Sequence, residues 1–108
     1  MPIQAKICGL SDAAGLEAAI LNGAAFVGFV FYGPSPRNIS ADEAALLASK
    51  VPVHVKKVGL FVDPDEQLIH DVLTTVSLDW IQLHGSETPE RVREIKETHS
   101  LPVIKAIK

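Results

Sequence analysis

The run VKKVGLFVDPDEQLIHDVL, from Val55 to Leu73, changes its period part-way along. Val55 to Val62 is an apolar run of strand length, rich in Val and carrying Phe61. Asp63-Pro64-Asp65-Glu66 then opens a segment in which Leu68, Ile69, Val72, Leu73 and Val76 recur at helical spacing. Asp63 suits the N-cap, and Pro64 suits the first helical position. The acids suit the positive end of the helix dipole. One strand followed by one helix is the smallest reading of this stretch.

The same unit recurs on both sides. Ile3–Cys8, Phe26–Phe31, Trp80–His84 and Val103–Ile107 are further apolar runs of strand length. A first helix is expected after Ser11, ending near Asn22-Gly23, with Leu16, Ala19, Ile20 and Gly23 on one face. A second begins with a capping box, Ser40 and Glu43, and stops before Pro52. A fourth begins Thr88-Pro89-Glu90 and has a narrow apolar face of Val92 and Ile95. Equivalent strand positions Ile7, Phe29, Gly59, Ile81 and Ile104 recur at intervals of 22 to 30 residues. That spacing builds a parallel sheet from βα units in a single domain spanning residues 1–108.

Two parallel architectures accommodate five strands: a doubly wound sheet, and the first half of a (β/α)8 TIM barrel. In the first strand, alternation puts Ile3, Ala5 and Ile7 on one face and Gln4, Lys6 and Cys8 on the other. The polar face suits a barrel interior better than a sheet buried under helices on both sides. The α/β fold class expected is therefore the N-terminal half of a TIM barrel, a single incomplete domain.

Composition narrows the partners. The chain is 47% hydrophobic and 21% charged, with a net charge of −3. Such a balance is ordinary for a soluble domain and offers no basic surface for nucleic acid. A single phosphorylated metabolite stays compatible, because backbone N–H groups suffice to hold it. One cysteine, Cys8, allows no internal disulfide and fits a cytoplasmic location. The amino terminus lacks a basic start leading into a long apolar run, and Ala24 to Phe31 is too short to cross a membrane. No metal-ligand spacing and no glycine-rich nucleotide loop is present, so neither a metal nor a cofactor is expected.

In both parallel architectures ligands sit at the carboxyl ends of the strands. Cys8 ends the first strand and is followed by Gly9, which permits close approach of a ligand. Lys6, two residues back on the same face, favours a thiolate. A lone cysteine is also a common small core residue. Arg37 follows the second strand within Gly33-Pro34-Ser35-Pro36-Arg37-Asn38, a stiff loop that presents a guanidinium for a carboxylate or phosphate. A solvated surface arginine is the alternative. Gln82 and His84 share a face at the mouth of the fourth strand, with Gly85 opening space beside them. His54, His70 and His99 read as solvated. Asp63 reads as a helix cap in preference to a catalytic acid.

Four motifs now align. Lys6-Ile7-Cys8-Gly9, Gly28-Phe29-Val30-Phe31 leading to Ser35-Pro36-Arg37, Val58-Gly59-Leu60-Phe61-Val62, and Gln82-Leu83-His84-Gly85 together resemble the phosphoribosylanthranilate isomerase family. They keep the family's order and spacing across the chain. The resemblance implies a cofactor-free Amadori rearrangement in tryptophan biosynthesis, turning phosphoribosylanthranilate into carboxyphenylamino-deoxyribulose phosphate. It implies Cys8 as general base, Arg37 as the grip on the anthranilate carboxylate, and Gln82 and His84 as lining of the substrate mouth. The family's general acid, an aspartate on a later strand, and its phosphate loops have no counterpart in these 108 residues. The chain alone is therefore expected to lack isomerase activity. Its expected partners are a small phosphosugar-anthranilate substrate and either the other half-barrel or a second copy, since the two edge strands would be unpaired.

Two rivals follow from the same strand ends. A doubly wound receiver domain would use Asp63 as phospho-acceptor, with Ser86 and Lys105 or Lys108 beside it. It also requires an acidic pair after the first strand, where Cys8-Gly9-Leu10-Ser11 stands. A non-enzymatic half-barrel that serves assembly is the third reading.

Overall fold

The computed structural model describes residues 6–7, 10, 12–36 and 38–106. Its elements are β1 (Lys6–Ile7), α1 (Ala13–Leu21), β2 (Phe26–Val30), α2 (Ala41–Ala48), β3 (Lys56–Phe61), α3 (Glu66–Thr75), β4 (Trp80–Leu83), α4 (Pro89–His99) and β5 (Val103–Lys105). The strands form one sheet in the order β1-β2-β3-β4-β5, and every neighbouring pair is parallel.

This order excludes the doubly wound sheet. A doubly wound sheet reverses direction and places its first strand inside. Here each strand pairs with the next in sequence, and β1 and β5 are the edges. Right-handed crossovers that always step the same way put all the helices on one face. The receiver reading fails on this topology.

The register separates the two faces. Phe29, Gly59, Ile81 and Val103 form one row across the sheet. This row faces the helices, where Phe29 and Ile81 join Leu16, Leu47, Ile69 and Ile95 in the core. Burying a Phe or Ile side chain completely contributes roughly 1.5–3 kcal/mol. Gly59 leaves a gap in the row that Leu78 fills: a Cβ there would stand 2.5 Å from Leu78 Cδ1. Phe31 and Phe61 stack beside it with ring centroids 5.4 Å apart. Val30, Leu60, Gln82 and Ile104 form the adjacent row, turned to the opposite face by strand alternation.

The helix starts follow local chemistry. Asp12 caps α1 by accepting from the Gly15 N–H at 2.6 Å. Ser11, the expected start signal, lies outside the described residues. Beyond the Asn22 cap, Gly23 adopts φ 80, the left-handed conformation that ends the helix. The capping box at α2 forms as expected, with Ser40 and Glu43 exchanging hydrogen bonds of 3.1 Å. Thr88 caps α4 and Pro89 occupies its first turn.

Two expectations are corrected. The N-cap of α3 is Asp65, whose carboxylate accepts from the Leu68 N–H at 2.8 Å; Asp63 is not the cap. Pro64 accordingly precedes the cap instead of opening the helix. His99 is not solvated: it is the last residue of α4, and its side chain is 10% exposed. Its Nε2 lies 2.9 Å from Glu66 Oε2. Arg91 completes this α3–α4 junction, donating to Glu66 Oε1 at 2.6 Å, to the Pro64 carbonyl at 3.0 Å and to Glu94. The Arg91 guanidinium, joined by His99, holds the Glu66 carboxyl below the usual range despite some burial.

Candidate functional site at the carboxyl edge of the sheet

Because all five strands run parallel, their carboxyl ends share one edge. The four candidate residues map to that edge through the sequence. Cys8 directly follows β1, and Arg37 lies in the β2–α2 loop; both fall outside the described residues, so their placement rests on the chain positions around them. Leu10, just beyond Cys8, is buried and donates to the Gly28 carbonyl at 3.2 Å. In the β2–α2 loop, the Ser35 N–H donates to the Tyr32 carbonyl and the Asn38 N–H to the Ser35 carbonyl. Ile39 then returns to bond the Val30 carbonyl. The sequence's Pro-Ser-Pro pattern thus yields a compact loop pinned to the end of β2.

Gln82 is 8% exposed, in register with Leu60 and Ile104 on the face away from the helices. His84 is exposed, and its backbone N–H continues the ladder to the Phe61 carbonyl at 3.0 Å. A buried amide and an exposed imidazole, two residues apart on one strand exit, suit a polar ligand arriving from this edge. Among the described residues no group of three His, Cys, Asp or Glu side chains is placed to hold a metal ion.

Directly behind His84 lies a charged cluster that the sequence did not announce. The Glu87 side chain is 1% exposed. Its Oε2 accepts from the Asp63 N–H at 2.7 Å, and its Oε1 accepts from the Gly85 N–H at 2.9 Å. Lys105 Nζ donates to Glu87 Oε1 at 2.8 Å and to the Gly85 carbonyl at 2.5 Å. Asp63 Oδ1 accepts from the Ser86 N–H at 2.9 Å. Burial pushes the Glu87 carboxyl up, but the Lys105 ammonium and the N–H groups of Asp63, Glu87 and Gly85 outweigh it and hold it below the usual carboxylate range. The cluster ties the β3–α3 loop, the β4–α4 loop and β5 together. The strand ends already bring Asp63, Ser86 and Lys105 to one edge in the sequence, but nothing there singles out Glu87, which joins them.

The family profile for N-(5'-phosphoribosyl)anthranilate (PRA) isomerase matches residues 5–108. The chain belongs to the phosphoribosylanthranilate isomerase family. It is 55% identical over 107 residues to N-(5'-phosphoribosyl)anthranilate isomerase of Paracoccus denitrificans, covering 99% of this chain and 50% of that protein. With the enzyme of Paramagnetospirillum magneticum it shares 52% over 107 residues, again 99% and 50% of the two chains. The chain thus spans about half the length of the curated relatives it matches. Among solved structures, phosphoribosylanthranilate isomerase from Thermotoga maritima superposes with a TM-score of 0.90 at 38% identity, covering 98% of this chain and 51% of that one. A phosphoribosylanthranilate isomerase solved in complex with reduced 1-(o-carboxyphenylamino)-1-deoxyribulose 5-phosphate gives the same TM-score and identity over 98% and 54%.

Proposed function

We propose that this chain forms the amino-terminal half of a (β/α)8 barrel that isomerises phosphoribosylanthranilate to carboxyphenylamino-deoxyribulose phosphate in the cytoplasm. The observation that carries the reading is the singly wound sheet, which superposes on half of an isomerase solved with a reduced form of that product. The chain positions of Cys8 directly after β1, of Arg37 between β2 and α2, and of Gln82 and His84 at the exit of β4 support it.

The chemistry divides between the halves of the barrel. Arg37 pairs with the anthranilate carboxylate and orients the substrate, with Gln82 and His84 lining the approach. A general acid from the other half protonates the ribose ring oxygen, and the C1–O bond breaks to give a protonated imine. Cys8, as thiolate, removes the proton from C2. The electrons move into C1=C2 and onto nitrogen, giving an enolamine. Tautomerisation returns a proton to C1 and leaves the C2 ketone. No oxidant or cofactor enters, because the change is an internal redox shift between two carbons. Each proton transfer requires the group within hydrogen-bond reach of its atom.

The test is turnover of phosphoribosylanthranilate by three samples: this chain alone, this chain joined to the carboxyl-terminal half of a relative, and the joined form with Cys8→Ala. The expected pattern is activity only in the joined Cys8 form. Turnover by the isolated chain that vanishes in Cys8→Ala would refute the division of labour. An inactive joined form that is folded and binds no anthranilate-type ligand would refute the function.

A further inference from the structure

The Glu87 cluster has features that stability alone does not require. Its carboxylate is almost wholly enclosed, yet it sits beside an exposed edge, where burial of a charge is costly unless every lone pair is used. Its partners are not a random set. They are the N–H of Asp63, the N–H of Gly85 and the ammonium of Lys105, drawn from three successive βα units. Asp63 adopts φ 44, a left-handed conformation unfavourable for a residue with a Cβ. Gly85 has no room for a side chain, since a Cβ would lie 2.6 Å from Asp63 Cγ and Oδ2. Strain of this kind persists where the surroundings over-determine it, and it concentrates at functional sites.

The bonds fix one short stretch. His84 N–H is held by Phe61, Gly85 N–H by Glu87, Gly85 carbonyl by Lys105 and Ser86 N–H by Asp63. Every one of these groups flanks or belongs to the exit of β4 that carries Gln82 and His84. A carboxylate clamped by an ammonium holds such a stretch more rigidly than neutral partners, because charge-assisted bonds are shorter and about twice as strong.

We infer that Glu87, seated by Lys105, is a positioning residue for the substrate mouth: it sets the backbone from His84 to Ser86 and thereby aims His84. This rests on the proposed isomerase reading for its kinetic consequence. The Glu87 side chain, 1% exposed, has almost no surface to offer a substrate, so the role assigned to it is indirect. Replacing it by Gln keeps the size but turns an amide N–H2 toward a donor, so at least one clamp bond is lost.

The experiment is a double-mutant cycle on the complete gene product, comparing Glu87→Gln, His84→Ala and the double variant. The readouts are kcat and KM for phosphoribosylanthranilate and the urea midpoint. A misplaced reactive contact lowers turnover by up to about a hundredfold. The expected result is a fall of roughly ten- to a hundredfold in kcat/KM for Glu87→Gln that shrinks to within about twofold, the usual limit of additivity, once His84 is alanine. The loss in urea midpoint should be the same in both backgrounds. An equal factor in both backgrounds, or a lowered midpoint with unchanged kcat/KM, overturns the inference and leaves Glu87 purely structural. Should Glu87→Gln fail to fold, Lys105→Met takes its place, since it removes only the ammonium and must show the same dependence on His84. If the wild-type protein turns over no phosphoribosylanthranilate, it is the isomerase reading that fails. Amide exchange then decides the clamp: Gly85 and Ser86 protection must collapse and the His84 ring resonances must shift in Glu87→Gln, and unchanged spectra overturn it.

Discussion

Gly85→Ala should destabilise the fold by about 3 kcal/mol. The new methyl group would meet Asp63 Cγ and Oδ2 at 2.6 Å and the Asp63 backbone nitrogen at 2.8 Å. The carboxylate is able to rotate away, but it then releases the Ser86 N–H that it accepts at 2.9 Å. A hydrogen bond to a charged group contributes roughly 1.5–3 kcal/mol. The backbone nitrogen has no such freedom, because its N–H is held at 2.7 Å by the buried Glu87 carboxylate. Overpacking against an immobile neighbour adds about 1–3 kcal/mol, and the two losses overlap because one shift relieves part of both. The assay is urea unfolding followed by circular dichroism, with the denaturant slope compared between variants to confirm that only stability changed. A second arm repeats the substitution in an Asp63→Gly background, which removes the Cγ and Oδ2 contacts and keeps the one to the nitrogen. The cost of Gly85→Ala should fall there to roughly half, as expected for neighbours that share a cause. A cost under about 1 kcal/mol in the wild-type background, within the range of ordinary surface changes, would refute the steric argument.

Three further outcomes follow from the same structure. Glu87 is held below the usual carboxylate range in the folded state. Its contribution is therefore complete above the unfolded value of about 4.3 and fades as pH falls through the lower folded value, so Glu87→Gln should flatten the acid limb of the stability–pH curve below roughly pH 4.5. An acid limb identical to wild type would show the shift to be absent. Ser40→Ala removes the hydroxyl that accepts from the Glu43 N–H, while the backbone N–H of residue 40 still donates to the Glu43 carboxylate; it should cost about 1 kcal/mol, whereas Ser40→Gly should cost only a few tenths, read from thermal midpoints. Arg91→Ala loosens α3 from α4 by removing bonds to Glu66, Glu94 and the Pro64 carbonyl. Its cost should be about 1 kcal/mol at low salt and smaller in high salt, since the pair is partly solvated; a salt-independent cost would assign the effect to packing of the arginine stem.

The parts of the fold that depend on local chemistry were legible in the sequence. Ser40 and Glu43 lie three residues apart, and nothing distant is needed for them to cap α2. Thr88-Pro89 gave the start of α4 for the same reason. The nearly identical Asp63-Pro64 did not give the start of α3, because the backbone of Asp63 is claimed by Glu87 and its carboxylate by Ser86. A contact across 24 residues overrode a local preference. His99 misled in the same manner, since its partner Glu66 lies 33 residues earlier. The candidate site shows the same division. Gln82 and His84 announced themselves through strand alternation and position, and both occupy the expected strand exit. Cys8 and Arg37 lie outside the described residues, and the roles proposed for them rest on the resemblance alone. Lys105 stands out in sequence only as a strand-end lysine of the receiver reading and Glu87 not at all, and only the meeting of β5 with the β4–α4 loop reveals them as a pair.

The consecutive strand order bears on how the chain is made. During synthesis the amino terminus emerges first. Each of β2 to β5 finds the preceding strand it pairs with already outside, and none of them has to thread between two earlier ones. The sheet is able to grow in the direction of translation, one helical crossover at a time, each closing a loop of the next βα unit only. The Lys105 ammonium, on β5, then latches a β4–α4 loop whose other bonds come from strands and loops made before it.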